Sequence, residues 1–325
     1  MRTIKKRVLQ YVIFICAVLV LNFFFPRLMP GSPITRMGSE EFVDLSPSQR
    51  AHIMEFYDLD KPIGEQFVAF IKNTFTLNWG VSYSKKQPIL DLLKAALPWT
   101  LLLAVCNLVV STVLGTFIGT MTAFLRKKRK DIKHILALML LGTFPSFWIG
   151  MILISVFSVK LGWFPLYGAY SLWENNEGFA LFLDVARHLV LPVTTTVIVS
   201  LSISFTTSRY SVLKTIQQDY VVLAEIRGVP DRKIKLSYIL RNAFIPVFTV
   251  FMTQLGFVLS GSVLIETIFS YPGIGKMLSD AVSARDYPLM QYVFLVTSVM
   301  VMITAFLSDV LRKKVDPTIK GAYEN

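Results

Sequence analysis

The chain has 325 residues, of which 54% are hydrophobic and 17% charged, and its formal net charge is +12. An ordinary soluble domain is less apolar and about 25% charged, so the composition argues for a membrane protein. The basic excess does not indicate nucleic acid, because Lys and Arg sit beside apolar runs and are not interleaved with aromatics on one face.

Six apolar windows carry no Asp, Glu, Lys or Arg: Val8–Phe25, Trp99–Leu125, Ile135–Val159, Leu189–Ser208, Ala243–Ile265 and Leu289–Ser308. A spanning helix needs about 20 mostly apolar residues, and a charge at its centre costs roughly 2.5–3.5 kcal/mol on insertion scales. The fold class expected is therefore an all-α polytopic membrane protein with six transmembrane helices. Residues 1–7, 126–134, 209–242 and 309–325 hold 21 of the 33 Lys/Arg and 7 of the 21 acidic residues. Basic residues concentrate on the cytoplasmic side of a membrane, which puts both termini there.

In chain order, residues 1–28 are a basic tip and a first span. Its run is about 18 residues, and Pro26–Pro30 follows it with no small-x-small cleavage site, so it reads as an uncleaved span. Residues 29–97 are an extracytoplasmic insertion with helical signals of its own. Ser46-Pro47-Ser48-Gln49 has the form of a capping box. Ile63, Phe67, Phe70 and Ile71 make a helical stripe, and Ile89, Leu92, Leu93 and Ala96 make another before Pro98. The insertion reads equally as a cap over the bundle end or as a docking surface for an external partner. Residues 98–313 are the core of five further spans, and 314–325 a cytoplasmic tail.

Within that core, Arg126–Lys130 reads as a topology anchor beside anionic lipid heads. Trp163, Tyr167, Tyr170 and Trp173 read as interfacial aromatics. Pro145 and Pro246 sit within or at the entry of spans, where a proline can kink the helix. Cys16 and Cys106 lie inside spans without metal-site spacing and read as packing residues. The span Leu189–Ser208 is so rich in hydroxyls that it suits a mixture of helix packing and a wet pathway. The candidate pathway-lining residues are Thr196, Ser200, Ser204, Gln254 and Ser260. Gly256-x-x-x-Ser260, with Gly261 and Ser262, would allow close helix approach.

No phosphate-binding G-x-x-x-x-G-K-[ST] loop and no H-E-x-x-H occur, and His52, His134 and His188 lie far apart in sequence. No metal site, catalytic residue or cofactor bound by this chain is expected. A proton-coupled secondary carrier wants an ionisable group inside a span, and the six windows lack one.

The loop 209–242 is basic and set between spans. Tyr220, Leu223 and Ala224 fall on one face of a short helix, Gly228 suits a left-handed helix stop, and Pro230 prevents continuation. Arg232, Lys233 and Lys235 then begin a second helix. Physically, this ledge suits an interfacial helix and a partner-docking helix equally well.

At this point the residues resemble a family. Gln218-Asp219-Tyr220-Val221, Ala224, Gly228, Leu240-Arg241-Asn242-Ala243 and Ile245-Pro246 are similar to the loop motif of permease subunits of ATP-binding-cassette importers, in its dipeptide/oligopeptide/nickel version. Pro145–Gly150, His188–Pro192, Glu266–Phe269, Tyr271–Gly275, Arg285–Pro288 and Asp316-Pro317 match further blocks in order. The resemblance implies an importer type I-like permease of the first-permease type, forming half of a translocation pathway. It implies a second permease, an external binding protein, and two cytoplasmic ATPases that carry ATP and Mg. The coupling residues it implies are Asp219, Tyr220, Val221, Ala224, Glu225, Arg227, Gly228, Val229, Pro230, Arg232, Lys233, Arg241, Asn242 and Pro246. Peptides are the expected cargo, with nickel, glutathione or an oligosaccharide as alternatives.

Overall fold

The computed structural model describes residues 2–28, 61–125, 131–171, 173, 177–258 and 263–315. The capping box at 46–49, the basic run 126–130, Ser260–Ser262 and Asp316-Pro317 lie outside them. Among the described residues the elements are helices, and the only β pairing is an isolated bridge between Val81 and Pro88.

The helices are α1 (Arg2–Arg27), α2 (Ile63–Phe75), α3 (Ile89–Phe124), α4 (Asp131–Leu141), α5 (Ser146–Leu153, extended by π-helical turns to Lys160), α6 (Phe179–Ile216) and α7 (Asp219–Ile226). There follow α8 (Asp231–Lys233), which passes through the π-helical stretch Ile234–Leu240 into α9 (Arg241–Val258), then α10 (Val263–Ile268), α11 (Ile274–Ser283) and α12 (Tyr287–Val315). Among the described residues, four stretches are long and apolar enough to cross a membrane: α3, α6, Asp231–Leu255 and Tyr287–Leu311. The pair Ile135–Leu141 and Ser146–Lys160 makes a fifth if its 94° bend is counted as one broken span. Leu9–Phe25 is a shorter apolar helix.

Two prolines act in different ways. Pro145 takes the entry of a helix, one of the two places expected for it, beside the 94° bend. It stands at the N-terminal boundary of α5, where its missing N–H costs nothing, and the break falls just before it. Conversely, α3 runs through Pro98, so the helix crosses the expected boundary at 97/98. The stripe Ile89, Leu93 and Ala96 is buried as the first turns of that helix.

The chain clusters into two compact units. The first comprises Met1–Thr100, Ser260–Thr267 and Pro272–Met302. Its core joins Phe23, Phe70, Ile89, Leu93, Ile274, Leu289 and Val293. Phe23 is fully buried and meets Phe67 edge-on at 5.1 Å. Trp79 stacks on Tyr292 at 4.8 Å. On α2 the predicted stripe is only partly inward, because Phe67, Phe70 and Ile71 pack while Ile63 is exposed.

The second unit comprises Leu101–Leu259, Ile268–Tyr271 and Ile303–Asn325. Its helices α3 and α6 meet almost backbone to backbone. A Cβ on Gly115 would stand 2.7 Å from the Ser204 Cβ, and one on Gly119 would stand 2.6 Å from the Phe205 carbonyl oxygen. Gly115-Thr-Phe-Ile-Gly119 is thus the small-x-x-x-small seam that lets two apolar helices gain dispersion contact where lipid offers no hydrophobic drive.

Candidate functional site: the loop ledge and the polar track of α6

The second unit carries the ledge. Helix α7 ends in a Schellman turn: the Val229 N–H donates to the Ala224 carbonyl at 3.1 Å and the Gly228 N–H to the Glu225 carbonyl at 3.0 Å. Gly228 has φ +70°, a conformation that L side chains adopt at a cost of roughly 1–2 kcal/mol. Pro230 then sits just before α8 with φ −57°, so the chain turns and cannot continue the first helix.

The ledge is held from beneath by a small apolar core. Val221, Ala224, Ile234, Ile239 and Ala243 pack with Ala123 of α3 and Val212 of α6. Val221 is fully buried, a burial that contributes about 1.5–3 kcal/mol. Ser211 Oγ donates to the Ala243 carbonyl at 2.9 Å, tying α6 to the first turn of α9. Lys235 Nζ lies 5.8 Å from the Phe124 ring centroid.

The face assigned to α7 from sequence needs correction. Ala224 turns inward with Val221, whereas Tyr220 and Leu223 turn outward, 39% and 51% exposed, with Val222 and Ile226. Periodicity found a stripe but could not show that a second, inward stripe one residue on was the one covered. Four exposed large apolar side chains on an eight-residue helix are a surface that a partner or an interface must cover. Asp219, Glu225, Arg227, Pro230, Arg232, Lys233, Arg241, Asn242 and Pro246 are exposed around it, and Val229 is half-buried.

The candidate pathway residues divide. Ser204 is buried against Gly115, so it is a packing residue of the α3–α6 seam, and this corrects the sequence reading. Ser208 does the same beside Gly119, with its hydroxyl 3.1 Å from the Thr120 hydroxyl. Thr196 and Ser200 are half-buried on one face of α6. Ser200 Oγ lies 3.2 Å from Asn107 Oδ1 and 2.8 Å from the Thr196 carbonyl. The Gln254 Nε2 is enclosed and has no hydrogen-bond partner among the described residues. Asn107 escaped the sequence reading, although it is the one amide in the window Trp99–Leu125.

The comparisons with known proteins cover both the ledge and the track. Residues 111–321 match the model of the binding-protein-dependent transport system inner membrane component. The chain belongs to that family. The permease is 35% identical over 318 residues to the di/tripeptide transport system permease protein DppB of Pseudomonas aeruginosa strain UCBPP-PA14, covering 93% of this chain and 94% of that one. It is 32% identical to the oligopeptide transport system permease protein AppB of Bacillus subtilis strain 168, over 98% of both chains. To the glutathione transport system permease protein GsiC of Pectobacterium atrosepticum it is 33% identical, over 97% of both. It is therefore a multi-pass membrane permease of the ATP-binding-cassette importer type.

Two blocks that the sequence left without a mechanism now have one, through residues of the first unit: Asp286 with Ser82 and Ser84, and Glu266 with Pro272–Gly275. Asp286 caps α12: its Oδ1 accepts the Leu289 N–H at 3.2 Å, and its Oδ2 accepts the Ser82 hydroxyl at 2.5 Å and the Ser84 N–H at 3.0 Å. Asp286→Ala should therefore lose about 1–3 kcal/mol, from the missing cap and the stranded donors, and Asp286→Asn should lose less. Thermal unfolding of the detergent-solubilised protein checks this, and an alanine variant as stable as the parent would contradict it. The second block is Glu266 with Pro272–Gly275. Its carboxylate is fully buried, one residue beyond the window Ala243–Ile265, which is why a search for charges inside the windows passed over it.

Proposed function

We propose that this permease is one half of the translocation pathway of an importer for short peptides, glutathione included among them as a tripeptide. The reading rests chiefly on its similarity over nearly its whole length to peptide and glutathione permeases. On this reading all six apolar windows span the membrane, the broken α4–α5 pair counting as one span and α1 as another. Both termini lie in the cytoplasm, as the basic segments favour, and residues 29–97 are extracytoplasmic.

The remaining components are other chains: a second permease, two ATPases that bind ATP and Mg, and an extracytoplasmic binding protein that selects the cargo. The exposed face of α7 seats in an ATPase. Nucleotide-driven closure of the ATPases pushes Tyr220, Leu223 and Ile226, and the core under Val221 and Ala224 passes that push into α3, α6 and α9. A partner can shift a two-state permease only by binding its states differently. The stiff Schellman turn and the packed inner face of α7 suit a lever of this kind.

The test is assembly followed by transport. Affinity-purified from membranes that express its neighbours, the chain should bring down one further permease and two ATPases. The complex in proteoliposomes should take up labelled dipeptide only with ATP and the loaded binding protein. Accumulation by vesicles that hold this chain alone would reject the proposal.

A further inference from the structure

Glu266 lies in α10, and around it the first unit builds a lock. The Thr100 hydroxyl of α3 donates to Glu266 Oε1 at 2.9 Å and accepts the Ile274 N–H at 2.8 Å. Glu266 Oε2 accepts the Lys276 N–H at 3.1 Å. The carboxylate and hydroxyl together thus satisfy the first N–H groups of α11, donors that a helix leaves open, and negative charge is favourable there. The surrounding sequence is cut to fit. A Cβ on Gly273 would collide with the Glu266 carboxylate and the Thr100 hydroxyl, and one on Gly275 would stand 2.8 Å from the Val263 backbone.

The far end of α11 is fixed as firmly. The Asp286 N–H donates to the Ala281 carbonyl at 2.8 Å and the Arg285 N–H to the Val282 carbonyl at 3.1 Å. Asp286 is in turn held by Ser82 and Ser84. Between the two locks α11 buries Ile274, Gly275 and Ala281 and exposes Val282 and Ser283. Asp280 of α11 is flanked by Lys276 of the same helix at 3.1 Å and by Lys85, from the segment before α3, at 3.8 Å. Burying a carboxylate is expensive even when it is paired, and an apolar contact would hold a surface helix at lower cost. What the lock adds is orientation: it fixes where α11 starts and how it is rotated.

We propose that Glu266 and Thr100 are positioning residues of the transport cycle. They hold α11 in the one orientation in which its exposed face meets the extracytoplasmic binding protein. This rests on the transport reading above, which puts α11, between the last two spans, on the outer side. Neither residue touches cargo. Pre-ordering the docking helix lowers the ordering cost of each encounter.

The experiment uses the assembled complex in lipid nanodiscs and titrates cargo-loaded binding protein against ATPase rate. Thr100→Val keeps the side-chain size and removes both hydroxyl bonds. It should raise the half-stimulating concentration roughly three- to tenfold, the equivalent of one or two net hydrogen bonds, and leave the maximal rate nearly unchanged. Glu266→Gln should shift the curve in the same direction, because it removes the negative charge at the start of α11 and one of the two acceptor oxygens. Thr100→Ser should restore the parental curve. Unchanged half-stimulation in Thr100→Val, a fall in maximal rate alone, or Thr100→Ser as impaired as valine would overturn the proposal. Should Glu266→Gln fail to accumulate, the isosteric Thr100→Val still decides. Stimulation of the unmodified complex by its binding protein is measured first, so a failure of the transport reading shows there and not in the variants.

Discussion

Gly228→Val is expected to cut peptide uptake at least about tenfold, the rate equivalent of ~1.4 kcal/mol, while the protein still inserts. A Cβ at Gly228 would meet nothing within 4 Å, so no clash contributes. The whole effect comes from φ +70°, where a β-branched residue is a genuine outlier. Relieving that strain means giving up the Gly228–Glu225 and Val229–Ala224 bonds, which re-aims α7 relative to the π-helical stretch after it. Gly228→Asn should retain much more uptake, because asparagine enters the left-handed region with less strain. The measurement is uptake per inserted permease alongside ATP hydrolysis by the complex. Hydrolysis persisting without uptake is the expected signature, and normal uptake at normal expression would remove α7 from the coupling role.

The second large effect is expected at the α3–α6 seam. Gly119→Leu must displace the Phe205 carbonyl, the Ser208 Cβ at 3.0 Å and the Arg209 backbone nitrogen at 3.1 Å. Two of these are backbone atoms, which cannot rotate away as a side chain can. Overpacking of a tight contact costs about 1–3 kcal/mol, and here it also separates the Thr120 and Ser208 hydroxyls. The solubilised variant should unfold at a clearly lower temperature and accumulate poorly. Gly64→Ala in α2 is the matched control. Its Cβ would meet nothing, and removing a helical glycine from open space stabilises by about 0.4–1 kcal/mol. If the two variants unfold together, the close approach of α3 and α6 is not what holds this unit.

The ledge shows how far a single chain can be read. Gly228 and Pro230 mark a helix stop by local chemistry, since a left-handed residue and a missing N–H act within two or three residues of themselves. The Schellman bonds follow. The outward side of α7 was not readable, because Tyr220, Val221, Leu223 and Ala224 are all apolar or small, and only the position of Ala123 and Val212 beneath them decides which pair is covered. The hydroxyls of α6 posed the same difficulty. Ser200 and Ser204 have the same side chain four residues apart. One lies beside Asn107 and the other is sealed against Gly115.

The sequence by itself determined the membrane class, the apolar windows, the position of the ledge and the family. Each of these is written in properties that sum along the chain or act between near neighbours: hydropathy, charge asymmetry, turn chemistry and the order of motif blocks. Tertiary structure alone decided that Gly115 and Gly119 form a seam, that Ser204 packs against Gly115, and that Glu266 and Thr100, 166 residues apart, share one hydrogen bond at the start of α11. Those facts depend on which helices touch. In a chain whose spans are almost uniformly apolar, composition gives every helix the same reason to pack and no indication of its partner.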